Sequence, residues 1–382
     1  MQNLRDRCEE LITDIDFASV AKWKGEHPGG KAIGYFPVYI PAEIIHACGM
    51  LPVALHGAGD RLDIQHADAK FGSFICSIAK TTMELGMTRH LDLFDGLLFS
   101  SICDTARNLC FVMKRNSPET EIDFIHLPHN PATWASVGYL ASEYRRLLQK
   151  LELMGEVTVS AESLIASIQI YEENRRLTRQ LFDMRSAMPE LLSTSELYRF
   201  VRAGNFIPVE EHNDILHQAI REVSDRTGKP RDSIRIVVEG AFCEQPPLDA
   251  IRLLEQAGCY IVDDDFTLGH QWFVREVPLT SDPLFALAQS YTDDSVYSSV
   301  RHDFRHPRVE GLIEKVRRRR ADAVVSLIAK FCEPAYFDYV LFKKELDSRG
   351  IPHLLLEYEE KMFTFDRLQM EVETFVESLL FA

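Results

Sequence analysis

Three of the eight cysteines of the chain stand in sequence settings that suit chemistry. Cys103 and Cys332 each follow a short apolar run and precede a helical pattern, and Cys76 lies between two nearby serines. A strand that runs into a helix in an open α/β sheet brings its last residues to the edge where such sheets build their sites. Thiolates gathered at that edge would hold a soft metal or an iron–sulfur cluster.

Packing is the competing interpretation, because a free cysteine is a small apolar side chain that fills corners well. Cys103 and Cys332 are expected at helix amino termini, where the helix dipole lowers the thiol pKa and favours the thiolate. Two such positions with Cys76 as a third favour ligands over packing. Three thiolates on a four-iron cluster would leave one iron open, as in catalytic metal sites.

The other cysteines are expected to be structural, with one exception. Cys8 and Cys110 fall on apolar helix faces, and Cys48 and Cys259 lie at glycine junctions between a helix and a strand. Cys243 follows a predicted strand and is kept as a reserve ligand. The sequence holds no C-x-x-C pair, which argues against a zinc finger or a ferredoxin-type site.

Three polar residues near these positions are candidates for acid–base catalysis. Glu43 and His46 follow the first predicted strand at its ligand-binding end, and Asp104 directly follows Cys103. Carboxylates and imidazoles are the usual proton donors and acceptors in enzymes. A glutamate at a helix start also needs no function, because the dipole stabilises it there.

The elements that must position these residues alternate between strand and helix. Strands are predicted at 33–38, 52–55, 96–99 and 123–126, and again at 234–239, 259–263, 323–327 and 353–356. Helices are predicted at 41–48, 70–86, 104–115 and 132–152, and again at 247–257, 308–319, 335–348 and 366–380. The first ~22 residues are also predicted to be helical. This alternation indicates parallel sheets covered on both faces.

The chain is long enough for more than one core, and the pattern divides it into three parts. Residues 1–150 are predicted to hold an amino-terminal helix and a first α/β domain, and residues 230–382 a second α/β domain. Residues 151–229 form a helical connection, in which the charged run 172–176 is expected to be a solvated face. The two α/β parts repeat the same order, so Cys103 and Cys332 would be equivalent and face a shared cleft.

Composition excludes several classes of function. A net charge of −16 argues against nucleic-acid binding, which usually needs a basic face. No apolar run approaches the ~20 residues of a membrane span, and the amino terminus has no signal-peptide pattern, so a cytoplasmic protein is expected. The loop 25–31 nearly matches a phosphate-binding loop, but Ala32 replaces the required hydroxyl and a strand follows, so ATP is expected to bind elsewhere.

Short motifs along the chain carry a family resemblance. They are Pro41-Ala-Glu43 with His46-Ala-Cys-Gly49, then Cys76-Ser77, Cys103-Asp104 and Phe331-Cys-Glu-Pro334. In order and spacing the chain resembles the 2-hydroxyacyl-CoA dehydratase / benzoyl-CoA reductase family over nearly its whole length. Within that family it is most similar to the substrate-binding subunits of the ATP-dependent benzoyl-CoA reductases.

The resemblance implies a fold, a cofactor and partners. It implies two flavodoxin-like parallel-sheet domains joined by helices, with a [4Fe–4S] cluster on Cys76, Cys103 and Cys332. It implies an oxidoreductase complex of anaerobic aromatic degradation, in which benzoyl-CoA is reduced to a cyclic dienoyl-CoA. A homologous second substrate-binding subunit would share the substrate, and ATP-hydrolysing activase-like subunits would pass electrons from ferredoxin.

Three other functions remain open from the sequence. A 2-hydroxyacyl-CoA dehydratase subunit would use the same cluster to remove water from its substrate. A homodimeric double-cubane protein would share a larger cluster between two identical chains. A two-lobe small-molecule binding protein would need no metal, although the surplus of thiols speaks against it.

Overall fold

The chain folds into two parallel sheets connected by helices. The computed structural model describes residues 3–240, 242–266, 272–296, 298–359, 362 and 364–381. Within them lie two four-stranded sheets whose neighbouring strands all pair in parallel. The prediction of two flavodoxin-like α/β domains joined by a helical segment is confirmed.

The first sheet has the strand order β2-β1-β3-β4. Its strands are β1 (Ala32–Tyr35), β2 (Leu51–Ala54), β3 (Gly96–Ser100) and β4 (Glu121–Ile125). The helices that follow the first three strands are α3 (Ala42–Ala47), α4 (Ser77–Met87) and α5 (Asp104–Asn116). Nearly every residue of these strands is buried, because helices cover both faces of a parallel sheet.

The second sheet repeats this order as β6-β5-β7-β8. Its strands are β5 (Ile234–Glu239), β6 (Cys259–Asp264), β7 (Ala323–Ala329) and β8 (His353–Tyr358). The helices that lie between and after these strands in the chain are α10 (Leu248–Gln256), α11 (Pro283–Asp294), α12 (Arg308–Arg319), α13 (Glu333–Arg349) and α14 (Asp366–Leu380). The repeat makes β5 the counterpart of β1 and β7 the counterpart of β3. In each sheet the strand order reverses between these two strands, where open sheets bind ligands.

Six further helices begin the chain and connect the sheets. They are α1 (Leu4–Thr13), α2 (Ala18–Glu26), α6 (Ser136–Gly155), α7 (Ala161–Ala187), α8 (Thr194–Ala203) and α9 (Val209–Ser224). Helix α7 contacts α3 in the first half and β6 in the second, and its Arg185 pairs with Asp264 in the core. The connection is therefore packed against both halves. Across the described residues, the helices are too short or too polar for a membrane span.

The amino-terminal helix is interrupted where the sequence predicts continuity over ~22 residues. Asp14 ends α1 because its side chain accepts hydrogen bonds from the backbone N–H of Asp16 (2.9 Å) and Ala18 (2.6 Å). Such side-chain-to-backbone bonds compete with the helix and start a new one. Helix α2 then continues to Glu26, further than predicted.

The predicted helix 70–86 is wrong at its amino end, because α4 begins only at Ser77. Cys76 is extended (ψ 147°) and is the N-cap residue of α4. The carboxylate of Glu244, from the second half, accepts the backbone N–H of Ile78 (3.1 Å) and so caps the helix from outside. Helix α11 is absent from the predicted elements, although Asp282 and Pro283 are typical residues for a helix start.

Candidate metal centre

Four cysteines line one cavity between the two sheets. Cys76, Cys103 and Cys332 lie there together, and the reserve candidate Cys243 joins them. The cavity has a volume of about 470 Å³. Cys103 and Cys332 come from the equivalent loops after β3 and β7, and Cys243 from the loop after β5. Two thiols therefore come from each half of the molecule.

Three of these thiols stand at helix amino termini. Cys76, Cys103 and Cys332 are the N-cap residues of α4, α5 and α13. The backbone N–H of Ala106 donates to Cys103 Sγ at 3.4 Å. Phe331 adopts a left-handed backbone (φ 67°) directly before Cys332, which turns the chain at the end of β7. The positive ends of three helix dipoles thus meet at the cavity, where they would stabilise negative charge on sulfur.

Burial nevertheless outweighs these dipoles in the protein without a bound cation. It raises the pKa of Cys332 to about 12, although the N–H of Ala335 acts in the opposite direction. Burial also raises the pKa of Cys103, and it raises the pKa of Cys76 well above its ordinary value, with Glu244 as the next cause. The backbone N–H groups at the helix starts lower these pKa values as expected, but burial acts more strongly, so the net shift is upward. Ionising several thiols in one apolar cavity requires a positive centre that binds them.

The remaining lining is mostly apolar. Phe36, Ile75, Phe242 and Val300 face the cavity, and Asp104 and Glu333 contribute carboxylates. Phe74 and Phe337 also line it, yet their exposed fractions are 69% and 72%. An exposed apolar patch at the mouth of a cavity is one mark of a contact surface.

The three acid–base candidates separate in the structure. Asp104 lines the thiol cavity and is exposed at the start of α5. His46 lies outside it, with Nδ1 2.8 Å from Ser167 Oγ and Nε2 3.0 Å from Glu210 Oε1. The hydrogen bond with His46 is the main cause that lowers the pKa of Glu210.

Glu43 also lies outside the thiol cavity, in a second and smaller chamber of about 60 Å³. Its Oε1 accepts from Arg175 Nη1 at 2.6 Å, and both side chains are almost completely buried. Tyr35 and Tyr171 line the same chamber. Phe242 lines both cavities, so the chamber of Glu43 adjoins the thiol cavity.

Arg175 is the residue that sequence reasoning missed. The sequence predicts a solvated run at 172–176, but Asn174 and Arg175 are both 3% exposed. Arg175 Nη2 also donates to Glu172 Oε1 at 2.7 Å, so one cation joins the buried Glu43 and the partly buried Glu172. Leu164, Ile168, Leu177 and Leu181 on the same helix are buried with it, and this apolar spacing was the available signal.

The cavity fits an iron–sulfur cluster better than a single metal ion. In the described ranges of the chain, no three His, Cys, Asp or Glu side chains converge closely enough to hold one ion. A zinc ion needs all its sulfurs about 2.3 Å from one point. A four-iron cluster instead places each thiolate on a different iron, so its ligands stand apart around a larger volume. Spaced thiols around a cavity with three helix amino termini match the second arrangement.

Comparisons with known proteins assign the chain to a family. Residues 37–379 match the family model described as 2-hydroxyglutaryl-CoA dehydratase, D-component. A benzoyl-CoA reductase subunit from Thauera aromatica is 35% identical over 374 residues, covering 98% of this chain and 97% of its own length. Lactoyl-CoA dehydratase subunit beta of Anaerotignum propionicum is 30% identical, covering 98% and 100%. The (R)-phenyllactyl-CoA dehydratase beta subunit of Clostridium sporogenes is 27% identical, covering 93% of each chain.

Proposed function

The chain belongs to the 2-hydroxyglutaryl-CoA dehydratase D-component family, and from this premise we propose that it is the iron–sulfur, substrate-binding subunit of an ATP-dependent benzoyl-CoA reductase. The observation that carries the proposal is the meeting of Cys76, Cys103 and Cys332 around one cavity. Identity with a named reductase subunit is 35%, against 30% and 27% with two named dehydratase subunits. That difference favours reduction of the aromatic ring over dehydration.

The residues of the chain would prepare the cavity for a low-potential cofactor. Cys76, Cys103 and Cys332 would hold a [4Fe–4S] cluster, which supplies single electrons when bound. The N–H groups at the helix starts, such as that of Ala106, stabilise charge on the sulfurs. Phe36 and Ile75 line the cavity with apolar side chains, which would limit the access of water and so the loss of electrons to protons.

Protons must be delivered along with electrons, because ring reduction to a cyclic dienoyl-CoA consumes both. Asp104 is the candidate for this role, since its carboxylate lines the cavity and reaches solvent. Glu43 lines the adjoining chamber, and neither Glu43 nor His46 lines the thiol cavity itself. In this proposal they act as positioning residues, because Glu43 is bound to Arg175 and His46 to Glu210.

The proposal also names partners. The relatives are themselves named as subunits, and the exposed Phe74 and Phe337 at the cavity offer an apolar contact surface. We propose that a homologous second substrate-binding subunit shares benzoyl-CoA or a related acyl-CoA with this chain. ATP-hydrolysing activase-like subunits would pass on electrons from ferredoxin.

Iron and sulfide analysis of anaerobically purified protein tests the cofactor. Electron paramagnetic resonance of the reduced protein should give a cluster signal, which Cys76→Ser, Cys103→Ser and Cys332→Ser should each abolish or strongly diminish. Cys110→Ser is the matched control, because Cys110 is buried in α5 and does not line the cavity. Protein that lacks iron, or equal signals in all variants, would contradict the proposal.

Turnover assays with the complete complex separate the two reactions of the family. The reductase hypothesis expects ATP hydrolysis in stoichiometric amounts and formation of a cyclic dienoyl-CoA from benzoyl-CoA. The second candidate, a 2-hydroxyacyl-CoA dehydratase subunit, is favoured by the two full-length dehydratase relatives. It expects only catalytic amounts of ATP and loss of water from a 2-hydroxyacyl-CoA, with no change in benzoyl-CoA.

A further inference from the structure

Cys243 shares the cavity with the three predicted ligands, although it does not stand at a helix amino terminus. It lies in the loop after β5, the counterpart of β1, and lines the cavity with Cys76, Cys103 and Cys332. The four side chains therefore face one common space.

The four remaining cysteines differ from this group. Cys8, Cys48, Cys110 and Cys259 are buried, and none of them lines the cavity. All eight cysteines belong to the described part of the chain. Four thiols line one cavity and four lie in the apolar core, so packing alone is a poor explanation for Cys243.

The loop of Cys243 is anchored to the helix that Cys76 begins. Glu244 Oε2 accepts the backbone N–H of Ile78, in the first turn of α4, at 3.1 Å. The Glu244 carbonyl oxygen accepts a hydrogen bond from Tyr358 at the end of β8. Gln245 Nε2 donates to the Cys243 carbonyl oxygen at 3.3 Å. These bonds hold Cys243 beside Cys76 across the boundary between the two halves.

From this arrangement we infer that Cys243 is the fourth thiolate ligand of the cluster in this chain. The inference rests on the proposed function in so far as it requires the cluster. Each iron then has a protein ligand, two from each half of the molecule, and no iron is open. A closed site of this kind transfers electrons and does not bind substrate oxygen or water. The acyl-CoA group would therefore react beside the cluster and not on it.

The experiment compares full-length chains reconstituted anaerobically with iron and sulfide. The variants are Cys243→Ala and Cys243→Ser, with Cys259→Ala as the control outside the cavity and Cys103→Ala as the control for a required ligand. The readouts are iron and sulfide content, Mössbauer spectra, and the rate at which ferricyanide converts the cluster to a three-iron form. An iron without a thiolate ligand is the one lost in that conversion. Circular dichroism of the iron-free chains checks that each variant is folded.

We expect the wild type and Cys259→Ala to carry about four irons per chain and to resist conversion. Cys243→Ala should convert at least about tenfold faster, since even changes beyond the direct ligands cost about 10–100-fold in metal affinity. If Cys243→Ala loses all iron, Cys243→Ser should retain a cluster with an altered Mössbauer spectrum, because its oxygen can still bind iron.

Two results would overturn the inference, and they are distinguishable from each other. A wild type that converts as fast as Cys243→Ala, with matching spectra, would mean that three thiolates hold the cluster and the proposed function survives. A wild type that takes up no cluster, or a Cys103→Ala variant that keeps a normal one, would overturn the proposed function and with it this inference.

Discussion

At the scale of single residues, Arg175 is the cation on which the chamber beside the thiol cavity depends. Its guanidinium binds Glu43 Oε1 at 2.6 Å and Glu172 Oε1 at 2.7 Å, and it lies over the ring of Phe273 with 4.9 Å to the centroid. Glu43 belongs to α3 and Arg175 to α7. The pair therefore attaches the first sheet to the connecting helices.

Removing this cation should destabilise the protein strongly. Arg175→Ala leaves Glu43 charged and unpaired in the core, which costs about 3–5 kcal/mol of unfolding free energy. Arg176→Ala is the matched control one position along, since that side chain is 57% exposed and its surface ion pair contributes little. Urea unfolding followed by circular dichroism measures both. Equal midpoints for the two variants would contradict the assigned role.

His212 should make stability depend on pH between about 6.5 and 4. Burial is the main cause that lowers its pKa from 6.5 to about 4. The neutral ring donates from Nε2 to the Phe200 carbonyl oxygen (3.0 Å) and accepts at Nδ1 from Asn174 Nδ2 (2.8 Å). In the protonated ring Nδ1 also carries a hydrogen, so it would face the Asn174 Nδ2 donor as a second donor and this hydrogen bond would be lost. The unfolded chain binds this proton first, so stability is complete above pH 6.5 and falls as the pH drops towards 4.

The expected loss from this single group is about 3 kcal/mol over that interval. It is measured as the difference between wild type and His212→Gln in unfolding free energy at a series of pH values. The variant should be less stable at pH 7 but should lose less on acidification. His217→Gln is the control, because the His217 side chain is 42% exposed and pairs with Glu173 near the surface. Parallel curves for wild type and His212→Gln would exclude the effect.

Sequence reasoning could identify Cys103 and Cys332 because their surroundings are local. An apolar run followed by a helical pattern places a residue at the end of a strand without knowledge of the rest of the fold. For Arg175, the apolar spacing of its helix could indicate a buried face but not the ion pair. Its partner Glu43 lies 132 positions away, and nothing in the charged run 172–176 indicates it.

At the scale of elements, the end of β5 leaves no room for a side chain at Gly240. This glycine has φ 115°, and a Cβ there would lie 2.8 Å from the Leu327 carbonyl oxygen of β7 and 2.9 Å from Ile328. The close approach of β5 and β7 brings the loop with Cys243 beside the loop with Cys332. Gly240 is thus part of the scaffold of the cavity.

Gly240→Ala should cost more than the same change at Gly258. Gly258 has a similar φ of 95°, but a Cβ there meets nothing within 4 Å, so its variant reports backbone strain alone. The collision at Gly240 should add roughly 1–3 kcal/mol to the loss of unfolding free energy. It should also lower iron content after reconstitution, which Gly258→Ala should leave unchanged. Similar losses for the two variants would mean that β7 moves aside at little cost.

Most elements were predictable because their apolar periods are strong, but one helix start was not, and one further helix was missed. The predicted helix 70–86 starts too early, since Glu244 fixes the true start at Ser77 from another part of the chain. Helix α11 carries the local signals of Asp282, whose carboxylate accepts the N–H of Phe285, and Pro283. That helix could have been predicted, whereas the start of α4 depends on the tertiary fold.

At the scale of the whole molecule, a cluster bound by thiols from both halves would join the two sheets. Binding to the folded chain alone stabilises it by mass action, because the unfolded chain cannot gather the ligands. The cluster-loaded protein should therefore unfold at a temperature at least about 5 °C higher than the iron-free protein. Anaerobic thermal scans of both forms measure the difference.

Cys332→Ala should remove this difference, because it takes away a ligand from the second half. Cys259→Ala should retain it, since that side chain lies in the core of the second sheet and outside the cavity. Identical unfolding temperatures for the loaded and iron-free wild type would be incompatible with a cluster that bridges the halves.

The distribution of the thiols along the chain has a consequence for biosynthesis. Cys76 and Cys103 leave the ribosome long before Cys332, and at ~5–20 residues per second the interval is on the order of 10–50 s. The first sheet can therefore fold when only two of the proposed ligand thiols, those of Cys76 and Cys103, have been synthesised. On the proposed function, cluster assembly would then wait for a nearly finished polypeptide, and the inorganic centre would have to enter past Phe74 and Phe337 before any neighbouring protein covers them.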